Sequence, residues 1–290
     1  MFTHIPVMPK EAIEFLQCAE GKLMIDCTTG KGGHSRLMLE KGCKLICIDC
    51  DEDALKEAKE NLKQYQVAAF VQENFANIKA VLASLNVKAV GGILADLGVS
   101  TYQLENEERG FGFSGKLDMR MDKRQAFTAS DIVNQWQEYE ISKLLFDYGE
   151  RKFARGIARA IVRFRQQKKI ETGEELLEII KMTMPPKYRF SREHHWATPT
   201  FRALRMKVNN DLENLGKFIP AAVECLSKGG RLVIISFHTM EDRIVKHMFR
   251  DLSKKGVVKL VVKKPLEASE DEIKANPKAV RAKMRVLEKL

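Results

Sequence analysis

Ile25-Asp26-Cys27-Thr28-Thr29-Gly30-Lys31-Gly32-Gly33-His34-Ser35 stands near the start of this 290-residue chain, and Cys47-Ile48-Asp49 follows it. An apolar run, Leu23 to Ile25, ends in an acid and breaks into a glycine-rich turn. A helical stretch comes next, then a second apolar run, Leu45 to Ile48, that also ends in an acid. This is the pattern of a βαβ unit with a nucleotide-sized pocket at the carboxyl ends of its strands. Glycines allow backbone N–H groups to approach a ligand closely, and an acid after the second strand suits a ribose diol.

Three cofactors compete for such a turn. A dinucleotide fingerprint, G-x-G-x-x-G counted from Gly30, is met at Gly32 but has Ser35 where the third glycine belongs. A phosphate loop needs Ser or Thr after its lysine, and Lys31 is followed by glycine. S-adenosylmethionine has no phosphate and needs only close backbone approach at its amino-acid end, so it fits best. On the turn alone, plain structural punctuation stays open as the other reading.

Lys plus Arg number 49 against 39 Asp plus Glu, a formal charge of +10, which points toward a polyanionic partner. The composition, 44% hydrophobic and 30% charged, is that of a water-soluble globular protein of one large or two smaller domains. No apolar stretch is long enough to span a bilayer, and the first twenty residues carry Glu11, Glu14 and Glu20, so no membrane role and a cytoplasmic location are expected. Cys43, Cys47 and Cys50 have the spacing of an iron–sulfur triad. Placed on a strand, however, Cys43 and Cys47 would lie about 13 Å apart at roughly 3.3 Å per residue, so Cys47 reads as a small buried hydrophobe and no metal is expected.

Further along, Asp51 to Tyr65 reads as an amphipathic helix, with Val67 to Val71 and Val90 to Leu94 as a third and fourth strand. Alternation of strands and helices argues for a parallel sheet covered on both faces. It stops between about 102 and 203, where charge and helical periodicity dominate. It resumes with a helix through Leu226, a turn at 227–230, a strand at 231–237, a helix from Glu241, and a closing antiparallel pair at Val257–Lys263 and Ala282–Leu287. The expected organisation is one discontinuous domain, 1–101 with 204–290, interrupted by a mostly helical insertion, 102–203.

The insertion is the most basic part. Arg151, Arg155, Arg159 and Arg163 recur every four positions within a run free of acids, opposite Phe153, Ile157, Ile161 and Phe164. A solvated helix face is the bland reading; a phosphate-binding stripe is the functional one. Thr198-Pro199 reads as the capped start of another helix, on which Arg202, Arg205 and Asn209 share a face away from Phe201, Leu204 and Val208. That face is either surface polarity or part of a cleft.

These motifs come in a familiar order. Asp26–Ser35 is followed by Ala95-Asp-Leu-Gly-Val-Ser100 with Gln103, Glu108-Arg-Gly-Phe-Gly-Phe113, Leu117-Asp-Met-Arg-Met-Asp122, Ala197–Arg205 with Val208-Asn209, and Ile235-Ser-Phe-His-Thr-Met-Glu-Asp-Arg243. The chain resembles the bacterial ribosomal RNA small subunit methyltransferase H family from His4-Ile-Pro-Val7 to Asn276-Pro277. The resemblance implies a class I, Rossmann-like methyltransferase sheet with a helical insertion that recognises RNA. It implies S-adenosylmethionine as methyl donor and N4 of a decoding-centre cytidine as acceptor, in free small-subunit RNA or the assembled small ribosomal subunit. A homodimer is compatible with it. By residue match, Gly32, Gly33, His34, Asp49, Phe75, Asp96 and Gln103 would contact the cofactor. Asp49 would take the ribose hydroxyls, and Phe75 would pack on adenine. Cys27, Pro199 and His194-His195-Trp196 depart from the family pattern, and the adjacent histidines also invite a metal reading, which neighbouring side chains on an extended segment oppose.

The cytosine N4 amine is a poor nucleophile, its lone pair being delocalised into the ring. The Asn/Asp-Pro-Pro-aromatic motif of amino methyltransferases is absent, since Asp96-Leu97-Gly98-Val99 stands in its place. Candidates on the acceptor side are Asn209, Ser236 and His238, with Asp96 serving both ligands; Arg151, Arg155, Arg159, Arg202 and Arg205 are candidates for RNA contacts. A capping role for His238 is the plain alternative. Methylation of another RNA, DNA or protein, and a non-catalytic RNA-binding assembly factor, are the competing functions.

Overall fold

The computed structural model describes residues 5–189 and 195–290. The chain divides into two compact units: Met1–Gly98 with Leu212–Leu290, and Val99–Asp211.

The first unit is built on eight strands: β1 (Leu23–Asp26), β2 (Lys44–Asp49), β3 (Ala69–Gln72), β4 (Val90–Asp96), β5 (Leu226–Ser236), β6 (Val258–Leu260), β7 (Leu266–Glu267) and β8 (Lys283–Lys289). Their order is β3-β2-β1-β4-β5-β8-β6, with β7 pairing β8. Neighbours from β3 through β5 pair in parallel, and β8 runs antiparallel to both β5 and β6. This is the class I methyltransferase sheet. The strand order reverses at β1, between β2 and β4, so the carboxyl ends of those three strands define the crevice where a ligand belongs. Asp26, Asp49 and Asp96 are the last residues of these strands.

Strand alternation sends side chains to two separate cores. Ile25, Ile46, Ile48, Ile93, Ala95 and Ile234 pack on one face with Phe218 and Phe249. Met24, Leu45, Cys47, Leu94, Val233 and Ile235 pack on the other with Leu16, Met38 and Leu62. Burial on both faces explains why the strands read as continuous apolar runs. Cys47 is one of these core residues, its sulfur 3.6 Å from the Ser35 hydroxyl. The expected turn at 227–230 is an excursion within β5: Val90 faces Leu226 and Gly92 faces Arg231, so the intervening residues are looped out of the ladder.

The second unit is helical, with its own core of fully buried Ile132, Leu145, Ile157, Ile161, Ile179 and Leu204. Helix Ala154–Arg165 carries Arg155, Arg159 and Arg163 of the arginine stripe, and Arg151 lies in the turn before it. The expected boundary at 203/204 is corrected. It falls inside helix Thr198–Val208, whose Phe201, Leu204 and Val208 belong to this helical core, so the helix stays with Val99–Asp211. Thr198 is the first helical residue rather than the cap, and its helix has no side-chain cap.

Residues 106–122 form a tight loop in this unit. Gly110 has φ +67°, and a Cβ there would lie 1.8 Å from the Lys116 carbonyl oxygen. Arg109 is 3% exposed and donates to the carbonyls of Arg120 (2.9 Å) and Met121 (3.1 Å). Asn209 clamps the same loop: its Oδ1 accepts from Met121 N–H (2.7 Å), and its Nδ2 donates to the carbonyls of Met119 (2.7 Å) and Arg205 (2.8 Å).

Candidate active site

The glycine turn is stitched to three strand ends by short polar side chains. Asp26 is almost fully buried and accepts from Ser35 Oγ (2.7 Å) and from Thr28 N–H (3.2 Å). Burial raises its carboxyl pKa above the usual range, against the lowering influence of His34 and of the Ser35 hydroxyl. Thr28 Oγ1 accepts from the Asp96 backbone N–H at 2.7 Å, linking the turn to β4. Thr29 Oγ1 donates to the carbonyls of Asp26 (3.2 Å) and Ile48 (3.1 Å), linking it to β1 and β2. Gly32, with φ +86°, precedes helix Gly33–Glu40, and a Cβ there would sit 3.0 Å from Leu62 Cδ1. Only glycine makes this turn without strain or a shift of Leu62. Sequence reasoning assigns Asp26, Thr28 and Ser35 no role.

His34 and Asp96 face each other within this frame. His34 is 6% exposed, and its Nε2 lies 3.5 Å from Asp96 Oδ2. Burial alone would depress the imidazole pKa, but the Asp96 and Asp26 carboxylates outweigh it and hold the ring above its ordinary value. Among the described residues neither ring nitrogen, nor Asp96 Oδ1, has a hydrogen-bond partner, although all three atoms are buried. Unsatisfied buried polar atoms are uncommon and costly unless a ligand completes them. Asp49, at the end of β2, is half-buried. Its Oδ2 accepts from Gly30 N–H (2.8 Å) and its Oδ1 from Asp51 N–H (2.9 Å). Burial pushes its pKa up to about 7, against the lowering effect of those two N–H groups. Each carboxylate oxygen retains a second lone pair for a hydroxyl. Phe75 opens the turn Phe75–Asn77 after β3 and meets Phe218 edge-on at 5.0 Å. A glycine turn, an acid placed for hydroxyls, and a second acid with one buried oxygen that has no partner among the described residues fit the polar ends of S-adenosylmethionine.

Other candidates have structural duties. Gln103, in the second unit, completes a capping box: its Oε1 accepts from Ser100 N–H (2.9 Å) and its own N–H donates to Ser100 Oγ (3.2 Å). His238 caps helix Thr239–Lys254, Nδ1 accepting from Met240 N–H at 3.2 Å, so that nitrogen carries no proton. Ser236 Oγ is 3.4 Å from the Lys283 carbonyl. Asn209 has both donors and an acceptor engaged in its loop clamp.

The arginines divide likewise. Arg155 and Arg159 are exposed along one helix and Arg151 is exposed in the turn before it, though Glu138 of a neighbouring helix approaches Arg159 at 3.7 Å. Arg205, a candidate on helix Thr198–Val208, has a side chain that is 14% exposed and pairs with Asp211 at 3.2 Å. Its helix buries Phe201, Ala203, Leu204, Met206 and Val208, leaving little free surface, and Arg202 is partly buried there too. His195 packs against the rings of Phe113 (4.3 Å) and Trp196 (4.7 Å), and burial lowers its pKa. His194 and His4 lie outside the described residues.

Among the described residues no helix is long and apolar enough to cross a membrane. Comparison with known proteins is consistent along the whole length. The family model described as the MraW methylase family matches residues 1–290. A protein of Pseudothermotoga lettingae named ribosomal RNA small subunit methyltransferase H is 46% identical over 99% of this chain and 98% of its own. Proteins of the same name from Sulfurihydrogenibium sp. and Nostoc sp. are 44% and 45% identical, over 99% and 100% of this chain and 99% and 93% of theirs.

Proposed function

Because this chain belongs to the MraW methylase family, we infer that it transfers a methyl group from S-adenosylmethionine to the ribosomal RNA of the small subunit. N4 of a cytidine is the acceptor, and the reaction takes place in the cytoplasm. The observation that carries this reading is the His34–Asp96 pair beside the glycine turn, in which, among the described residues, the buried Asp96 Oδ1 and His34 Nδ1 have no hydrogen-bond partner.

Bound there, the cofactor would supply an electrophilic methyl group on a sulfonium. The backbone of the glycine turn would take its amino-acid end, and the Asp49 carboxylate would receive the ribose hydroxyls. The acceptor amine is held by Asp96, whose oxygen accepts one amine N–H, concentrates the lone pair on nitrogen and helps the proton depart. Most of the acceleration comes from holding amine and methyl in contact, which supplies roughly 7–11 kcal/mol. A base inside helical RNA is out of reach, so the target cytidine is unstacked before it enters.

Labelled methyl transfer tests the function. Small ribosomal subunits from cells lacking this activity are expected to take up label in their RNA, while large subunits take up none. Label in ribosomal protein, or none in either subunit, would remove the reading.

Two further outcomes follow from the site and the stripe. Asp49, with a pKa of about 7, is protonated in the free protein at lower pH. Cofactor binding that needs the carboxylate must then release a proton. Affinity should therefore fall as pH drops below about 7, by up to about tenfold per unit, and calorimetric titration from pH 8 to pH 5 reads this directly. Asp49→Asn should bind weakly at every pH, with a flat profile. The same shift has the opposite sign for folding. The unfolded chain ionises Asp49 from about pH 4, the folded protein only near 7, so this residue lowers stability as pH rises between those values. For the stripe, Arg155→Gln with Arg159→Gln should reduce the slope of log K against log salt by about 1.4, near 0.7 for each single-strand phosphate no longer neutralised. An unchanged slope would mean the stripe does not touch RNA.

A further inference from the structure

Beyond the stripe, the second unit carries exposed aromatic rings dressed with cations. Phe146 lies in the last turn of helix Glu138–Asp147 and is 50% exposed, while Ile141, Leu144 and Leu145 of the same helix are buried. The Arg151 guanidinium lies over its ring at 5.6 Å. Lys152, the next residue, places its ammonium 4.0 Å from the centre of the half-buried Tyr188 ring and is hydrogen-bonded to the phenol oxygen. Lys187 approaches the same ring at 5.3 Å, and Phe153 meets it edge-on at 5.3 Å. The nearby acids are already engaged: Asp147 pairs with Lys143 at 2.6 Å, and Glu150 is 1% exposed. The cluster therefore presents positive charge and π surface together.

We propose that Phe146, Arg151, Lys152, Tyr188 and Lys187 form a platform on which unpaired bases of single-stranded RNA stack, at the end of the helix where the arginine stripe begins. The inference rests on the reading that the substrate is RNA, and adds which form of RNA and which part of it this surface takes. Phosphate binding alone needs no rings. A cation-flanked aromatic face is what a base recognises, because every base has a π face and its adjoining phosphates are anionic. Duplex RNA cannot use such a surface, since its bases are already stacked. The arrangement also gives a division of labour. Arg155 and Arg159 follow the backbone, while the rings hold bases splayed out of the stack, the state the target cytidine must reach.

Equilibrium binding of the full-length protein to a short oligocytidylate, to an abasic oligomer of equal length and to a duplex of equal charge tests this. Phe146→Ala and Tyr188→Ala are each expected to weaken oligocytidylate binding about tenfold, within the roughly 5- to 150-fold span of one base–aromatic stack. Their salt slope should match wild type, because every cation that meets a phosphate is still in place. Binding of the abasic oligomer should not change, and Tyr188→Phe should restore affinity. Phe146 is exposed, so its replacement reads stacking rather than folding. Equal oligocytidylate affinity of variants and wild type, an equal loss on the abasic oligomer, or a wild-type preference for duplex would overturn the platform. If wild-type protein methylates small-subunit RNA while the variants bind as tightly as wild type, the platform alone fails. If no RNA is methylated, the functional reading fails whatever the oligomers do.

Discussion

Replacing Asp96 by alanine is expected to weaken S-adenosylmethionine binding about ten- to hundredfold and to reduce methyl transfer further still. The carboxylate closes β4, is fixed through its backbone N–H by Thr28 Oγ1, and keeps one buried oxygen without a partner among the described residues. A hydrogen bond to a charged group contributes about 1.5–3 kcal/mol, which sets the binding loss. Removal of an oriented proton acceptor costs a further factor of about 10² to 10⁴ in rate. Alanine also deprives His34 of the carboxylate that outweighs its burial, so the imidazole pKa should fall. Asp96→Asn separates the two effects, because an amide fills the space yet cannot take a proton: binding should be partly kept and turnover lost. Calorimetry and single-turnover transfer measure these in turn. Wild-type affinity and rate in Asp96→Ala would show that the orphaned oxygen serves neither ligand.

Gly110→Ala should produce the largest loss of stability, on the order of 4 kcal/mol or more. At φ +67° any side chain is strained, by about 1–3 kcal/mol. The added Cβ would also stand 1.8 Å from the Lys116 carbonyl oxygen and 2.8 Å from the Asp118 nitrogen. Backbone atoms cannot step aside as a flexible side chain can, so the loop must open. Arg109 then loses its carbonyl partners at 120 and 121, and Asn209 loses its clamp on 119–121. Buried polar groups stripped of partners are among the few routes to so large an effect. Thermal melting followed by circular dichroism should show helical signal lost well below the wild-type transition, and an unchanged melting temperature would mean the loop relaxes freely.

The part of this molecule that is legible in the sequence is the part set by local periodicity. Apolar runs ending in Asp26, Asp49 and Asp96 are strands buried on both faces, and their acids meet because parallel strands end on one edge of the sheet. What spacing cannot show is which group answers which across the fold. Arg159 has no acid at i±4, yet Glu138 reaches it from another helix. Arg205 shares a helical face with Asn209 on paper, but the helix ends at Val208, and the chain turns to bring Asp211 against Arg205. Asn209 and His238 carry the right functional groups for catalysis, and those groups are engaged in a loop clamp and a helix cap that depend on residues far away or on particular backbone angles. The small hydroxyls of Thr28 and Ser35 escape notice for the same reason. Thr28 meets Asp96 only once β1 and β4 are laid side by side, and Ser35 meets Asp26 only once the glycine turn sets its helix against the end of β1.

The most direct measurement is nucleoside mass spectrometry of small-subunit RNA, from subunits lacking the modification, after incubation with S-adenosylmethionine and either wild-type protein or Asp96→Ala. N4-methylcytidine should appear with wild type and be almost absent with the variant. A different methylated nucleoside, or equal N4-methylcytidine from both proteins, would contradict the assignment of this site to that reaction.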